Sequence, residues 1–317
     1  MRVLVASSIA PEAIDRLRER HDVLCAFNAK EDELKVSIRD REVLVFRSGV
    51  RITADLLACA PDLKLLVRAG SGVDNLDLEY VDRQGIRLVR VPGPGAQAVA
   101  EMTFALLLAL ARNVLQADRL TRQGRWAKNE LTGYLLVGKV LGIVGLGSIG
   151  SRVGKLGVAW GMEVVGCVER PSPARASRFQ EKGVLLRDLD HVLRVSDFLS
   201  IHVPRKPSTM RLIDSSALAR MKPGAFLVNI ARGGVVDETA LRRALEEGHL
   251  RGAALDVHET EGEGRVSPLA GLENVILTPH IGAGTFDSQR QIGEIVTDSI
   301  DSFAAGRALP DAASRQD

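Results

Sequence analysis

The chain has 317 residues, 45% of them hydrophobic, and a formal net charge of +2. That length accommodates two domains with substantial cores. The near balance of interspersed acids and bases argues against a nucleic-acid or membrane partner held by bulk electrostatics.

The chain opens on Met1-Arg2-Val3-Leu4-Val5, a strand pattern without the h-region or cleavage site of a signal peptide. Further strands are predicted at 23–26, 43–46, 65–68 and 87–90 after a first at 3–6. Helices are predicted between them at 11–20, with Pro11 at the start, and at 53–59. Such alternation implies right-handed crossovers and a parallel sheet. Pro92-Gly93-Pro94-Gly95 interrupts the pattern, and an Ala/Leu-rich helix is expected from 96 to about 123. Its longest apolar run, 104–111, is too short to cross a bilayer. A second α/β series follows, with strands at 140–144, 163–168, 198–202, 225–229, 253–256 and 275–277, then a helix at 285–304. The expected fold class is therefore α/β with two doubly wound parallel-sheet domains. Residues 1–94 and 288–317 would form a discontinuous substrate-binding domain and 95–287 a dinucleotide-binding domain, with a frayed tail at 310–317. Cys25, Cys59 and Cys167 are isolated, which suits a reducing cytoplasm, and no metal site is expected.

The dinucleotide assignment rests on Gly145-Leu146-Gly147-Ser148-Ile149-Gly150, between the strand at 140–144 and a helix expected at 151–160. In that context Gly145 permits the tight turn, Gly147 admits a pyrophosphate to the backbone, and Gly150 allows close helix–strand packing. The helix N-terminus adds free N–H groups and the positive end of its dipole. The next strand should end in an acid for the ribose hydroxyls, but Val168 stands there, followed by Glu169 and Arg170. Glu169 would favour NAD. Arg170, with Arg175 or Arg178, would instead hold the extra phosphate of NADP.

Chemistry-bearing residues follow the later strands. Arg232 comes after the strand at 225–229 and precedes two glycines; its planar fork suits a carboxylate and an adjacent carbonyl. Reducing a carbonyl by hydride needs an acid for the forming alkoxide, and the reverse needs a base. Histidine serves both near neutral pH. His280 is the candidate, with Glu261 as the carboxylate that fixes its ring.

These segments resemble the D-isomer-specific 2-hydroxyacid dehydrogenase family, in the short phosphoglycerate dehydrogenase and hydroxypyruvate reductase-like form without a regulatory domain. The matching stretches are RAGSGVDN at 68–75, AVAE at 98–101, the GLGSIG loop, HVP at 202–204, NIARGGVVD at 229–237, ALDV at 254–257 and TPHIG at 278–282. The resemblance implies a flavodoxin-like substrate domain and a Rossmann-like cofactor domain around a cleft, in a homodimer formed through the cofactor domain. It implies Arg232 as the substrate-orienting cation, His280 as general acid/base and Glu261 as its partner. Backbone N–H groups near Ser71, Gly72 and Val73 would receive the substrate carboxylate. Asp256 would meet the nicotinamide carboxamide, while His202, Pro204 and Thr209 line the cofactor site. Ser148, Ile149, Val203, Ile230, Ala231 and Gly282 complete that set. Arg47, with Ser48 beside it, Arg68 and Lys128 align with cations that face a substrate phosphate in phosphoglycerate-oxidising members, which favours a phosphate- or phosphonate-bearing acid.

Three departures stand out. Val168 replaces the family acid. Gly262-Glu263-Gly264 follows Glu261 where the family has prolines, which leaves Glu259 as a backup. The Pro/Gly hinge replaces an Asn-containing segment. Two alternatives share the fold: phosphite dehydrogenases, which carry the same Arg–Glu–His set, and NAD-sensing co-repressors, which act as scaffolds. The chain shows no peptide-binding signature of the second kind.

Overall fold

The computed structural model describes residues 1–309; the tail predicted to fray, 310–317, lies outside the described residues. The chain divides into two compact units, Met1–Ala98 with the chain from Gly284 onward, and Val99–Ala283.

The first unit holds five parallel strands, β1 (Arg2–Val5), β2 (Asp22–Cys25), β3 (Val43–Phe46), β4 (Leu65–Arg68) and β5 (Arg87–Arg90). Their spatial order is β2-β1-β3-β4-β5, the flavodoxin-like order. Both faces are covered, so the strands read as continuous apolar runs rather than alternating ones. Val3, Val5, Val45 and Val67 face one core with Ile292, Val296 and Ile300. Leu4, Leu44, Phe46 and Leu66 face the other with Leu56 and Leu57. The helix Phe286–Ala304 thus returns to this unit. It packs on the helix Pro11–Arg18, and Arg16 meets Asp298 at 2.6 Å.

The second unit is built on β6 (Val140–Val144), β7 (Glu163–Cys167), β8 (Val184–Leu186), β9 (Phe198–Ile201), β10 (Phe226–Asn229), β11 (Gly252–Leu255) and β12 (Val275–Leu277). The order is β12-β11-β10-β9-β6-β7-β8, all parallel. The direction of winding reverses between β6 and β9, and open α/β sheets bind ligands at the carboxyl ends beside such a reversal. The loops after β6, β7, β9, β10, β11 and β12 all emerge from that edge, and they carry the motifs singled out from the sequence.

Several boundaries differ from those predicted. Ala6, Ala26, His202 and Asp256 still donate their N–H groups to neighbouring strands, but as the first residues beyond the strands. The single helix expected at 96–123 is two, Gly93–Ala111 and Val114–Arg122. Asn113 adopts φ 52° in the left-handed region, where Asn is tolerated, and this stops the first helix. The first helix begins inside the Pro/Gly cluster, because proline's fixed φ suits the opening turn. At 19 residues it has the length and composition of a membrane span, although the apolar run read from the sequence is shorter. Ala100, Leu107 and Ala111 on it are nevertheless buried in the core of the second unit. Strand β8 and the helices Glu31–Ser37, Leu78–Arg83, Pro173–Gln180, Leu189–Val195, Ser215–Arg220 and Glu238–Glu246 were not predicted.

Candidate active site

The glycine loop leaves β6 through Gly145, whose φ of +99° is closed to most L-residues; a Cβ there would stand 2.6 Å from the carbonyl oxygen of His202. A Cβ on Gly150 would collide with the carbonyl oxygen of Gly145, so helix and turn are in direct contact. Space beyond Gly147 is open. The helix runs Ser148–Ala159, three residues earlier than predicted, and Gly147 provides no side-chain cap. The first-turn amides of Ser148, Ile149 and Gly150 therefore point their positive dipole end at an open cradle. This arrangement fits the pyrophosphate of a dinucleotide. Those amides would hold the phosphates electrostatically.

After β9, His202 donates its N–H to Val144 O at 2.8 Å, and its Nε2 lies 2.7 Å from the Ser200 hydroxyl. Its Nδ1 is buried without a partner among the described residues, and burial pushes its pKa down to about 3, so the ring is neutral. Val203 packs beside Gly145. The buried Thr209 hydroxyl donates to Pro204 O at 2.6 Å and accepts from Lys206 N at 3.0 Å. That hydroxyl closes the 204–209 turn, which is the structural role the structure gives it.

Past β7, Val168 is followed by Glu169 and Arg170, both exposed. Glu169 is engaged: Lys206 Nζ donates to Oε2, and the Ser208 hydroxyl lies 3.5 Å from Oε1. The ion pair holds the Glu169 carboxyl below its ordinary range.

Beyond β10, Asn229 shapes the exit of the chain. Its Oδ1 accepts from Ala231 N at 3.1 Å and its Nδ2 donates to Arg232 O at 3.2 Å. Ile230 and Ala231 are buried, and the Arg232 side chain turns back to donate Nη1 to Ala231 O at 2.7 Å. A Cβ on Gly233 would collide with the His258 carbonyl, so the arginine loop lies directly against the segment that carries Glu261.

Glu261 and His280 meet as the sequence suggested, with Nδ1 2.9 Å from Oε2. The other oxygen of Glu261 accepts from His258 N at 3.1 Å. Burial pushes the Glu261 carboxyl upward, but its bonds to His280 and His258 outweigh this and hold it below the ordinary range. With Nδ1 committed to the carboxylate, Nε2 is the nitrogen left to exchange a proton. Glu259, the backup, is directed elsewhere: its Oε1 accepts from Glu238 N at 3.3 Å.

His280 has φ 56°, a left-handed backbone unusual for a residue with a Cβ. Asp256 holds it there. The Asp256 carbonyl accepts from His280 N at 2.8 Å, Oδ1 from Thr278 Oγ1 at 2.6 Å and Ile281 N at 2.9 Å, and Oδ2 from Gly282 N at 2.8 Å. Asp256 is 1% exposed. It anchors the histidine loop, a function the sequence did not reveal.

In the first unit, Arg47 and Ser48 follow β3, and Ser71, Gly72 and Val73 follow β4. Asn75 joins the two loops, donating Nδ2 to Arg47 O at 3.0 Å and to Val50 O. The Arg47 guanidinium has no carboxylate partner among the described residues, and burial lowers its pKa. Arg68 is itself buried; it donates Nε to Gly72 O at 2.7 Å and lies over the Phe46 ring. Its side chain thus shapes the 70–72 turn. Lys128 lies exposed in the second unit.

Residues 104–282 match the family described as D-isomer specific 2-hydroxyacid dehydrogenase, NAD binding domain. The chain is 40% identical over 310 residues to a D-3-phosphoglycerate dehydrogenase of Mycobacterium bovis, covering 98% of this chain and 58% of that protein. It is 38% identical to a hydroxypyruvate reductase of Thermotoga maritima, over 94% of this chain and 97% of that one. Among solved structures, a D-lactate dehydrogenase from Aquifex aeolicus complexed with NAD and lactic acid superimposes with a TM-score of 0.86 at 30% identity, covering 96% of each chain.

Proposed function

The chain belongs to the D-isomer specific 2-hydroxyacid dehydrogenase family, and on that premise we propose that it moves a hydride between a nicotinamide dinucleotide and C2 of a small D-2-hydroxy acid. The observation that carries this reading is the His280–Glu261 pair at 2.9 Å, on the same sheet edge as the GLGSIG cradle and Arg232.

When bound, the nicotinamide supplies the hydride to the keto acid or accepts it from the hydroxy acid. The residues of the chain handle charge and proton. Arg232 grips the substrate carboxylate with its planar fork and polarises the adjacent carbonyl. In reduction, His280 Nε2 gives its proton to the carbonyl oxygen as the C=O pair collapses onto it. In oxidation it takes the hydroxyl proton. Glu261 holds Nδ1–H and stabilises the imidazolium, and Asp256 fixes the backbone from which the ring projects.

The substrate class is small 2-hydroxy and 2-keto acids, and Arg47 favours one with a second anionic group such as a phosphate or phosphonate. A desolvated guanidinium with no carboxylate partner among the described residues is costly unless a ligand anion completes it. The named relatives act on phosphoglycerate and hydroxypyruvate, which brackets this choice. We further read the protein as a cytoplasmic homodimer joined through the second unit, where Trp126, Leu135, Val137 and Trp160 expose large apolar side chains.

Nicotinamide absorbance followed across glyoxylate, hydroxypyruvate, phosphohydroxypyruvate and phosphonopyruvate, each with NADH and NADPH, tests the reading. Turnover of at least one acid, lost in Arg232→Ala and His280→Ala, is expected. No turnover with any would overturn it.

A further inference from the structure

Glu261 sits where its own chain gives it little support. Gly262 and Gly264 follow it, both in the left-handed region with nothing within 4 Å of where a Cβ would stand, and every residue from Glu259 to Val266 is exposed. Its carboxylate must therefore be held from the residues before it. The His280 loop is anchored separately, by Asp256.

His258 supplies that hold. Its backbone N–H donates to Glu261 Oε1 at 3.1 Å, which leaves Oε2 for His280. Its ring reaches across to the other loop, with Nε2 3.0 Å from the carbonyl oxygen of Thr278, two residues before His280. A carbonyl only accepts, so Nε2 carries the proton. The His258 carbonyl packs against Gly233 in the arginine loop. One residue thus touches all three segments that carry Arg232, Glu261 and His280. The ring keeps this orientation although Nδ1 is then buried with no partner among the described residues. The carboxylates of Glu238 and Glu261 lie near enough to feel the ring's charge, while Glu259, next in the chain, is turned to Glu238 N.

We infer that His258 is a positioning residue of the reaction: its imidazole ties the Glu261 segment to the His280 loop and so sets the reach of the Glu261 carboxylate to His280 Nδ1. The inference rests on the reading of His280 and Glu261 as the acid–base pair. Without the tie to Thr278, the segment from His258 to Glu261 swings on the glycines, and the carboxylate spends less time on His280. A displacement of about 1 Å so close to the reacting atoms costs rate more than substrate affinity.

Two substitutions separate the tie from mere filling of space. His258→Phe keeps the bulk of the ring and removes the donor, whereas His258→Gln keeps an N–H at nearly the same reach. Steady-state reduction of the best 2-keto acid, followed across pH, compares them. For His258→Phe, kcat is expected to fall about tenfold or more while KM stays within about twofold. Its rate should decline with rising pH from a point about half a pH unit or more below that of the parent, because His280 keeps its proton less well without the carboxylate. His258→Gln should recover most of kcat and the parent profile. In a Glu261→Gln background, His258→Phe should change kcat by less than about twofold, since the tie then has no carboxylate to place. An active parent matched by His258→Phe, a glutamine variant no better than the phenylalanine one, or an undiminished effect in the Glu261→Gln background would each overturn the inference and leave the acid–base pair standing. If His258→Phe fails to fold, proton–nitrogen correlation spectra of the parent decide, with the His258 ring assigned by its loss in His258→Gln. A proton on Nε2 is expected there, and a ring protonated only on Nδ1 would overturn the tie. A parent inactive on every acid would overturn the acid–base reading and this inference together.

Discussion

Glu238 and Glu259 exchange backbone hydrogen bonds: Glu259 N donates to Glu238 Oε1 at 2.6 Å, and Glu238 N donates to Glu259 Oε1 at 3.3 Å. The Ser267 hydroxyl lies 3.5 Å from the second oxygen of Glu238. The helix that follows the arginine loop therefore grips the Glu261 segment on both sides of the Glu261 carboxylate. Glu238 is 2% exposed, and burial pushes its carboxyl above the ordinary 4.5.

That raised value fixes a sign. The folded chain binds a proton more tightly at Glu238 than the unfolded chain does, so stability is lost as pH rises from the ordinary carboxylate value through the folded one. Glu238→Gln keeps an acceptor for Glu259 N and removes the buried charge. Its melting temperature should fall less than the parent's over this window. Glu238→Ala leaves the Glu259 amide unsatisfied and should destabilise by about 1–3 kcal/mol. Thermal melts across pH check both, and identical slopes for Glu238→Gln and parent would count against the account.

Glu261 has the opposite sign. Its folded value is depressed, so its contribution is complete above the ordinary 4.5 and is lost as pH falls through the folded value. Glu261→Gln should flatten this acid dependence and lower kcat by about 10²-fold or more, since His280 loses the carboxylate that holds its proton. Coenzyme binding, followed by fluorescence, should be nearly unchanged.

Arg232→Ala should reduce kcat/KM by about 10²–10³-fold, the expected loss when one partner of a buried charge-assisted pair is removed. Arg232→Lys should recover only part of this, because an ammonium lacks the planar fork. Steady-state kinetics on the best 2-keto acid measures both, and a lysine variant equal to the parent would show that only charge is required.

Gly150→Ala places a methyl against the Gly145 carbonyl. Displacing backbone at a packed turn should destabilise by about 1–3 kcal/mol and weaken dinucleotide binding in parallel. Melting temperature and nucleotide titration on the same variant test whether the two losses go together.

Arg47→Ala removes a desolvated cation, so stability should hold or rise slightly, while KM for phosphorylated acids rises about tenfold or more relative to glyoxylate. An equal change in KM for both acids would remove Arg47 from the recognition of a second anionic group.

Much of the second unit was legible because the relevant signals are local. The apolar run of β6, the glycines after it and the helix beyond are contiguous in sequence, and each limits what its neighbours can do. Glu261 and His280 are 19 residues apart, and the chemistry of hydride transfer and the family resemblance, not their spacing, linked them in advance. What escaped notice depends on contacts the chain makes later. No local pattern says that Lys206 will reach Glu169, that Glu238 will hold Glu259, or that the Asp256 carboxylate will gather three donors from the 278–282 loop. The interruption at Asn113 has a local sign only in hindsight, since Asn in an Ala/Leu-rich helix is a weak stop unless the fold requires a turn there.

The left-handed backbone at His280 also narrows what this position can become. A residue with a Cβ held at φ 56° carries a strain of about 1–2 kcal/mol, least for Asn and Asp and greatest for β-branched side chains. Drift at this codon is thus filtered by backbone shape before chemistry is tested. Asparagine and glycine are the replacements that keep the loop, whereas valine or isoleucine would break the Asp256 cradle whatever the fate of the proton. A catalytic null built as His280→Asn therefore separates loss of the imidazole from loss of the loop more cleanly than truncation to alanine.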